Sequence, residues 1–312
     1  MDRLAAEYRR FSAEETTGRS ALYTVLTREV AEDRELLAIM CELEAPKRQP
    51  NLLLAAVRHL HGDFARDWPE FRQRFFDQRD EALDIIRTHR TQTNEPARCA
   101  LILPGLASLP QPLALLEVGT SAGLCLLPDR YGYDYGDGRR LAAPTLDGPV
   151  FHCRANDATP VPAALPDIVW RAGLDLAPLD VTEDENVAWL ESLVWPGEHD
   201  RLALLRAAVT VARADPPRIV TGDLREDLPA LAAQAPADAT LVVFHTAVLF
   251  YVPRPGRDVF RRKVRELRAT WLACEGPDVL GFENDRSDVM ALTRDGERVA
   301  YADGHGAHLS WG

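Results

Sequence analysis

Paired cysteines are missing from this sequence of 312 residues. Zinc sites and disulfide frameworks both depend on cysteines at short or regular spacings. The five cysteines present are widely separated, and no two of them form a Cys-x-x-Cys pair. We therefore predict neither a disulfide framework nor a metal site. The cysteines are Cys41, Cys99, Cys125, Cys153 and Cys274.

Excess positive charge and long apolar runs are missing as well. Lys and Arg number 36 against 48 Asp and Glu, so the formal net charge is −12. General nucleic-acid binding needs a basic surface, and this class is not expected. No apolar run is long enough to cross a membrane, and Met1 begins a charged amphipathic segment rather than a signal peptide. We expect a cytoplasmic protein that binds neither nucleic acids in general nor membranes.

Two regions of different periodicity follow one another along the chain. Residues 1–100 carry apolar side chains at helical spacing and no convincing strand, which predicts a helical N-terminal domain that covers a substrate. From Leu113 onward, apolar runs alternate with helical patterns, as in a doubly wound α/β sheet. We predict that residues 101–312 form a Rossmann-like, mostly parallel sheet with an insertion at about 131–166. Its antiparallel C-terminal hairpin is expected at 298–302 and 307–311.

The other predicted elements of this second domain come from shorter patterns. Strands are expected at 113–118, 168–174, 218–221, 240–246 and 279–283. A long charged helix is expected over 257–274, and the basic residues near Arg261 are interpreted as its solvated face.

A glycine turn follows the first predicted strand and is the main sign of a ligand site. The segment reads Glu117-Val-Gly119-Thr-Ser121-Ala-Gly123, and an apolar helical pattern begins at Gly123. Glycines allow a ligand to approach the backbone, and the free N–H groups of a helix start face such a ligand. Ser121 stands where a dinucleotide fingerprint requires its second glycine. The pattern therefore favours a nucleoside-type ligand without a pyrophosphate, such as S-adenosylmethionine.

Polar side chains end the next predicted strands too. Ligands of open α/β sheets bind outside the carboxyl ends of the strands. Asp175 is placed to accept both hydroxyls of a ribose, and Asp223 could accept a hydrogen bond from an adenine amino group. His245 ends a further strand and could act as a general base, with Tyr251 lining the same opening. A structural role for His245 and a core position for Tyr251 are the alternatives.

This order of residues resembles the class I S-adenosylmethionine-dependent methyltransferases over about residues 113–312. The resemblance implies that Glu117 lies near the methionine part of the cofactor, with Gly119, Thr120, Ser121 and Gly123 in the turn around it. It further implies that Asp175 binds the ribose and that Asp223 with Leu224 binds the adenine. The expected function is therefore methyl transfer from S-adenosylmethionine to a small-molecule substrate.

Over nearly its whole length, the chain also resembles a bacterial family known as domain of unknown function 2332. The turn Glu-Val-Gly-x-Ser-Ala-Gly-Leu, the segment Tyr133-Asp134-Tyr135 and Val194-Trp195-Pro196 carry this resemblance. The family implies no reaction.

Two alternatives to a methyltransferase stay open from the sequence. A protein of the same fold could bind S-adenosylmethionine as a sensor or scaffold without catalysis. Ser121 also lies at the centre of Gly-x-Ser-x-Gly, the pattern of a hydrolase nucleophile, with Asp223 and either His245 or His305 as nominal partners. The hydrolase interpretation leaves Glu117 and Asp175 without a role.

Overall fold

The structure is a computed structural model that describes residues 1–145, 148–282 and 289–312. The chain divides into two compact units. Unit 1 contains Met1–Thr93 and Glu183–Ala203, and unit 2 contains Asn94–Thr182 and Leu204–Gly312. The segment Glu183–Ala203 thus packs with unit 1, whereas the sequence prediction placed the whole of 101–312 in one domain.

The helices occur in both units. In chain order they are α1 (Asp2–Phe11), α2 (Ala21–Glu32), α3 (Arg34–Glu42), α4 (Pro50–His61), α5 (Trp68–Asp77), α6 (Arg79–Thr88), α7 (Cys99–Ala107), α8 (Asp184–Ser192), α9 (His199–Ala214), α10 (Leu228–Ala232), α11 (Arg254–Glu266) and α12 (Pro277–Leu280). No helix in the described part of the chain is long and apolar enough to cross a membrane.

The strands all belong to unit 2. They are β1 (Leu113–Val118), β2 (Gly132–Asp134), β3 (Arg140–Leu141), β4 (Val150–His152), β5 (Arg154–Ala155), β6 (Ile168–Asp175), β7 (Arg218–Thr221), β8 (Thr240–Thr246), β9 (Thr270–Glu275), β10 (Met290–Arg294), β11 (Glu297–Ala302) and β12 (His308–Trp311).

Unit 1 is helical, as the sequence predicts for the N-terminal region. The inserted segment Glu183–Ala203 is tied to the rest of the unit by two indole N–H groups. Trp189 Nε1 donates to the carbonyl of Arg90 at 3.1 Å, and Trp195 Nε1 donates to Asn51 Oδ1 at 3.0 Å. Trp195 also packs edge-on against Phe11. These contacts make Trp195 part of the core of unit 1.

A nine-stranded sheet forms the centre of unit 2, in the order β5-β12-β11-β10-β9-β8-β1-β6-β7. Strands β7, β6, β1, β8 and β9 are adjacent in this order and run parallel to one another. Every residue of β1 is buried, because a central parallel strand is covered on both faces. The chain moves outward from β1 to β6 and β7 and then returns to β8 on the other side. This reversal creates a topological switch point beside β1, where open sheets bind ligands.

The sheet confirms a mixed α/β protein with a large, mostly parallel sheet. The strands predicted at 113–118, 168–174, 218–221 and 240–246 are present as β1, β6, β7 and β8. The predicted C-terminal hairpin is present as the antiparallel pair of β11 and β12. It is the last part of a meander, because β10 pairs antiparallel with both β9 and β11.

Two predictions about the C-terminal part of unit 2 were wrong. The helix expected over 257–274 ends at Glu266, and the strand β9 follows it after three residues. A strand was expected at 279–283, but residues 279 and 280 belong to the short helix α12, and Gly281 after it has a left-handed backbone. Glu283 lies outside the described residues. The apolar run 270–274 continues the helical pattern before it, and periodicity alone does not distinguish a short buried strand from a buried helical segment.

The insertion at about 131–166 contains a small second sheet, in the order β3-β2-β4. No helix occurs in its described residues. Tyr131, Tyr133 and Tyr135 are fully buried, and each hydroxyl donates to a backbone carbonyl at 2.7 to 2.8 Å. These three tyrosines are therefore core residues of the insertion.

Candidate ligand site at the carboxyl edge of the sheet

Three acidic residues from the sequence prediction lie at the ends of neighbouring strands. Glu117 is the last residue but one of β1, Asp175 is the last residue of β6, and Asp223 follows β7 by two residues. Strand β1 pairs with β6, which pairs with β7. Because these strands are parallel, the three acids lie along one edge of the sheet.

The glycine turn after β1 is held by close packing. Gly119 and Gly123 have φ angles of +70° and +75°, which favour glycine. A Cβ atom on Gly119 would lie 2.5 Å from the methyl groups of Val248, and one on Gly123 would lie 2.7 Å from Pro217 Cγ. The two glycines are thus required by the fold, whatever the turn binds.

The helix expected from Gly123 is absent, and this prediction was wrong. A single 3₁₀ turn at Leu124–Leu126 takes its place. Pro128 disfavours helical backbone at the residue before it. Gly119 N donates to the carbonyl of Leu174 at 2.8 Å, and Leu124 N donates to Asn94 Oδ1 at 2.9 Å. The turn therefore does not present the free row of N–H groups that a helix start would offer.

Glu117 lies beneath the turn. Its side chain is buried, and its Oε2 accepts a hydrogen bond from Thr120 Oγ1 at 2.5 Å. Burial raises the pKa of the Glu117 carboxyl well above its usual range, and the hydrogen bond from Thr120 opposes that shift. Thr120 is itself fully buried and packs so closely on Gly173 that any Cβ there would overlap its methyl group. Glu117 and Thr120 thus form an internal support for the turn.

Asp175 joins the end of β6 to the turn. Its Oδ2 accepts the backbone N–H of Ser121 at 2.8 Å, and its Oδ1 accepts that of Ala177 at 2.9 Å. A carboxylate has about four lone-pair sites, so acceptor capacity remains on both oxygens. The side chain is half-buried, and the neighbouring Leu176 is 55% exposed. Asp175 therefore fits the role of accepting two ribose hydroxyls, with Leu176 offering an apolar surface beside it.

Asp223 and Leu224 fit a ligand less well. Arg225 donates from Nε to both carboxylate oxygens of Asp223, at 2.9 and 3.0 Å. This interaction holds the pKa of Asp223 below its ordinary value. Leu224 packs against the apolar core of the sheet. An adenine amino group would have to compete with Arg225 for the Asp223 carboxylate.

His245 is fully buried, and both of its ring nitrogens have partners. Trp271 Nε1 lies 3.0 Å from His245 Nε2, and an indole N–H can only donate. The proton of a neutral imidazole is therefore on Nδ1, which donates to Glu275 Oε1 at 2.7 Å. This arrangement is that of a structural histidine, the alternative interpretation of the sequence, because neither nitrogen is open to a substrate.

Glu275 is a site residue that the sequence reasoning missed. It is fully buried at the end of β9, and its Oε1 also accepts the N–H groups of Val248 and Leu249 at 2.7 and 3.0 Å. Its Oε2 has no hydrogen-bond partner within the described ranges. Like Glu117, it is an acid at the end of an apolar run, and this signal could have identified it.

The turn after β8 contains the exposed aromatic residues at the carboxyl edge of the sheet. Ala247 has a φ angle of +57°, which is unusual for a residue with a side chain. Phe250 and Tyr251 follow it with 48% and 54% exposure, and their ring centroids are 3.7 Å apart. Tyr251 therefore lies at the surface, beyond the carboxyl end of β8, and not in the core.

Ser121 also has a positive φ angle, of +52°, and is buried. Of the two histidines considered as its partners, His245 is bound to Glu275 and Trp271. His305 Nδ1 lies 3.6 Å from Glu95 Oε2. Within the described part of the chain, no group of three or more His, Cys, Asp or Glu side chains could hold a metal ion.

The fold and this edge define an α/β protein whose central parallel strand carries a glycine turn at the switch point of the sheet. The chain belongs to the family described as uncharacterized protein conserved in bacteria (DUF2332), whose model matches residues 5–311. No curated protein and no solved structure matches the chain significantly. The family description names no reaction, so function has to be argued from the site.

Proposed function

We propose that the carboxyl edge of the sheet binds S-adenosylmethionine and that the protein is a methyltransferase acting on a small molecule. One observation carries the proposal: Glu117, Asp175 and Asp223 end three neighbouring parallel strands, and the glycine turn follows the central one. This is the order of residues on which the resemblance to class I methyltransferases depends.

Asp175 would hold the ribose with the acceptor capacity that Ser121 and Ala177 leave on its two oxygens. Leu176 would cover the adenine through its exposed side chain. When bound, S-adenosylmethionine supplies an electrophilic methyl group. The residues around it would contribute mainly by holding the acceptor in line and excluding water.

Tyr251 and Phe250 would contact the methyl acceptor, since both are exposed beyond the end of β8. His245 is given no proton-transfer role in this proposal, because both of its nitrogens have partners. An acceptor that needs no strong general base, such as a thiolate or an amine with a low pKa, suits such a site.

Calorimetric titration with S-adenosylhomocysteine tests the proposal. We expect binding by the wild-type chain, weakened about tenfold in Leu176→Ser and in Asp175→Asn, because each loses a contact with the adenosine. Leu176 is exposed, so its substitution leaves the core intact. Asp180→Asn, at an exposed acid in the same loop, is the matched control and should bind as the wild type does.

The outcomes separate the functions that the sequence leaves open. If no binding is detected at about 1 mM S-adenosylhomocysteine, the binding free energy is weaker than about 4 kcal/mol. This result would contradict the proposal. Binding without turnover over a broad panel of acceptors would favour a sensor or scaffold of the same fold.

A serine hydrolase is the second candidate, and the backbone of Ser121 is the observation in its favour. A positive φ angle at a residue with a side chain is a strained conformation of the kind found at functional sites, and Ser121 is the central residue of Gly-x-Ser-x-Gly. Covalent labelling of the wild type, but not of Ser121→Ala, by a fluorophosphonate would support this function. Absence of labelling would exclude it.

A further inference from the structure

A cleft lies along α11, with a volume of about 540 Å³. Arg261, Arg262 and Arg265 line it from the helix, and Trp271 and Thr293 lie on the side of the sheet. Trp271 is at the amino end of β9, whereas the acids described above lie at the carboxyl ends of their strands. The cleft therefore faces a different part of the sheet from the glycine turn.

The helical repeat explains why the three arginines share one face. Positions 258, 261, 262 and 265 are three or four residues apart, which brings them to the same side of a helix. Three guanidinium groups in one cleft are unusual in a chain whose formal net charge is −12. This concentration of positive charge is not required by the core, which α11 contacts through Phe260 and Val264.

Two of the three guanidinium groups are available to a ligand. Arg261 is held by the carbonyl of Val279 at 2.6 Å and by Asp258 at 3.4 Å. Arg262 and Arg265 are exposed and form no ion pair or side-chain hydrogen bond with residues that the structure describes. Each guanidinium has five N–H donors in a planar fork that matches phosphate oxygens.

We propose that this cleft binds the phosphate group of a small phosphorylated molecule. Arg262 and Arg265 would donate to the phosphate oxygens, and Arg261, fixed by Val279, would add positive charge beside them. The volume of the cleft is in the range of small-molecule sites, so a phosphorylated metabolite would fit it. In this proposal the charged face near Arg261 is a binding face, whereas the sequence was interpreted as giving a solvated face there.

Two acids also line the cleft and set the expected strength of binding. Asp258 is paired with Arg261, and Glu266 is exposed at the end of the helix. Among the lining residues that the structure describes, these two acids against three arginines leave one net positive charge. Glu266 carries a charge of the same sign as a phosphate and repels it. Glu266→Gln removes this repulsion and should strengthen phosphate binding several-fold.

Inorganic pyrophosphate serves as the probe. Its binding to the full chain at low salt is measured by calorimetry and by the shift in melting temperature. We expect the wild type to bind it, and the double variant Arg262→Gln with Arg265→Gln to bind at least about tenfold more weakly. The matched control is Arg254→Gln with Arg268→Gln, which removes the same charge from exposed positions outside the cleft.

The control variant distinguishes binding at a specific site from general electrostatic attraction of the anion to the chain. If the affinity depends only on net charge, both double variants lose it equally, and the proposal is overturned. Absence of binding to the wild type, or a Glu266→Gln variant that binds more weakly than the wild type, would overturn it as well. Because all the substituted residues are exposed, a loss of folding is not expected to obscure the result.

Discussion

One carboxylate oxygen, Oε1 of Glu275, accepts the Nδ1 proton of His245 at 2.7 Å and also fixes the turn that follows the histidine's own strand. His245 is on β8 and Glu275 is on β9, so the pair joins two neighbouring strands at their carboxyl ends. The turn that it fixes contains Val248, whose methyl groups lie against Gly119. The position of the glycine turn thus depends on a buried pair on the neighbouring strands.

His245→Phe should therefore reduce stability. The substitution keeps a ring of similar size, but it leaves the indole N–H of Trp271 without an acceptor and removes one of the three N–H donors to Glu275 Oε1, at a cost of about 2 kcal/mol in the free energy of unfolding. Urea denaturation measures this. The exposed His308→Phe is the control and should change stability by less than about 0.5 kcal/mol. An unchanged urea midpoint for His245→Phe would show that the pair is not structural.

Glu117→Gln should make the protein more stable at neutral pH. Because burial raises the pKa of Glu117 in the folded state, the folded chain holds a proton that the unfolded chain releases as the pH rises above the ordinary carboxyl range. The contribution of Glu117 to stability is therefore fully present below its unfolded pKa and is lost as the pH rises toward the folded value. A glutamine keeps the acceptor for Thr120 and carries no charge.

Urea midpoints of Glu117→Gln and the wild type at pH 5, 6, 7 and 8 check this sign. The difference in unfolding free energy in favour of the variant should grow with pH, by at most about 1.4 kcal/mol per pH unit. Glu297→Gln, at an exposed position, is the control for the loss of an acid from the chain. A difference that shrinks as the pH rises would contradict the burial argument.

Gly119→Ala should destabilise the chain by about 3 kcal/mol, through its positive φ angle and through overlap with Val248. Adding Val248→Ala should recover the part of this loss that is due to overlap, which a double-mutant cycle measures. Gly62→Ala isolates the backbone contribution, since Gly62 has a φ angle of +72° and a Cβ atom added there would meet no atom within 4 Å. Strictly additive effects of Gly119→Ala and Val248→Ala would exclude the contact.

Asp129→Ala should cost about 3 to 5 kcal/mol, because Arg171 would keep a largely buried charge without its partner. The two side chains form a bidentate pair, with N–O distances of 2.8 and 2.9 Å. The double variant Asp129→Leu with Arg171→Met removes both charges and should be much closer to the wild type in unfolding free energy. A double variant less stable than Asp129→Ala would contradict this account.

The parallel core of the sheet could be predicted from the sequence, whereas its extension could not. Strands β1 and β6 are bounded on both sides by Pro, Gly or acidic residues, and Pro236 and Asp238 precede the apolar run of β8. Between α11 and β9 there is no Gly or Pro, so the change from helix to strand at Thr270 leaves no local signal. Tertiary pairing with β8 and β10 determines it instead.

The candidate site was likewise predictable only where its residues end strands that the sequence identifies. Glu117, Asp175 and Asp223 could be aligned on one edge because they end strands that were identified. The environment of His245 could not be foreseen, because both of its partners, Trp271 and Glu275, are on the strand that was missed. The hydrogen bond from Arg225 to Asp223 depends on side-chain orientation, which the spacing of the two residues in the sequence does not determine.

The return of the chain to unit 1 at Glu183 has a consequence for its biosynthesis. Residues 1–93 leave the ribosome long before α8 and Trp195, which complete the packing around Asn51 and Arg90. More than half of the polypeptide must therefore be made before the N-terminal helices meet their last partners, so the nascent helical region is exposed to proteases and chaperones throughout that interval. A fragment cut at residue 93 would retain that incomplete state permanently.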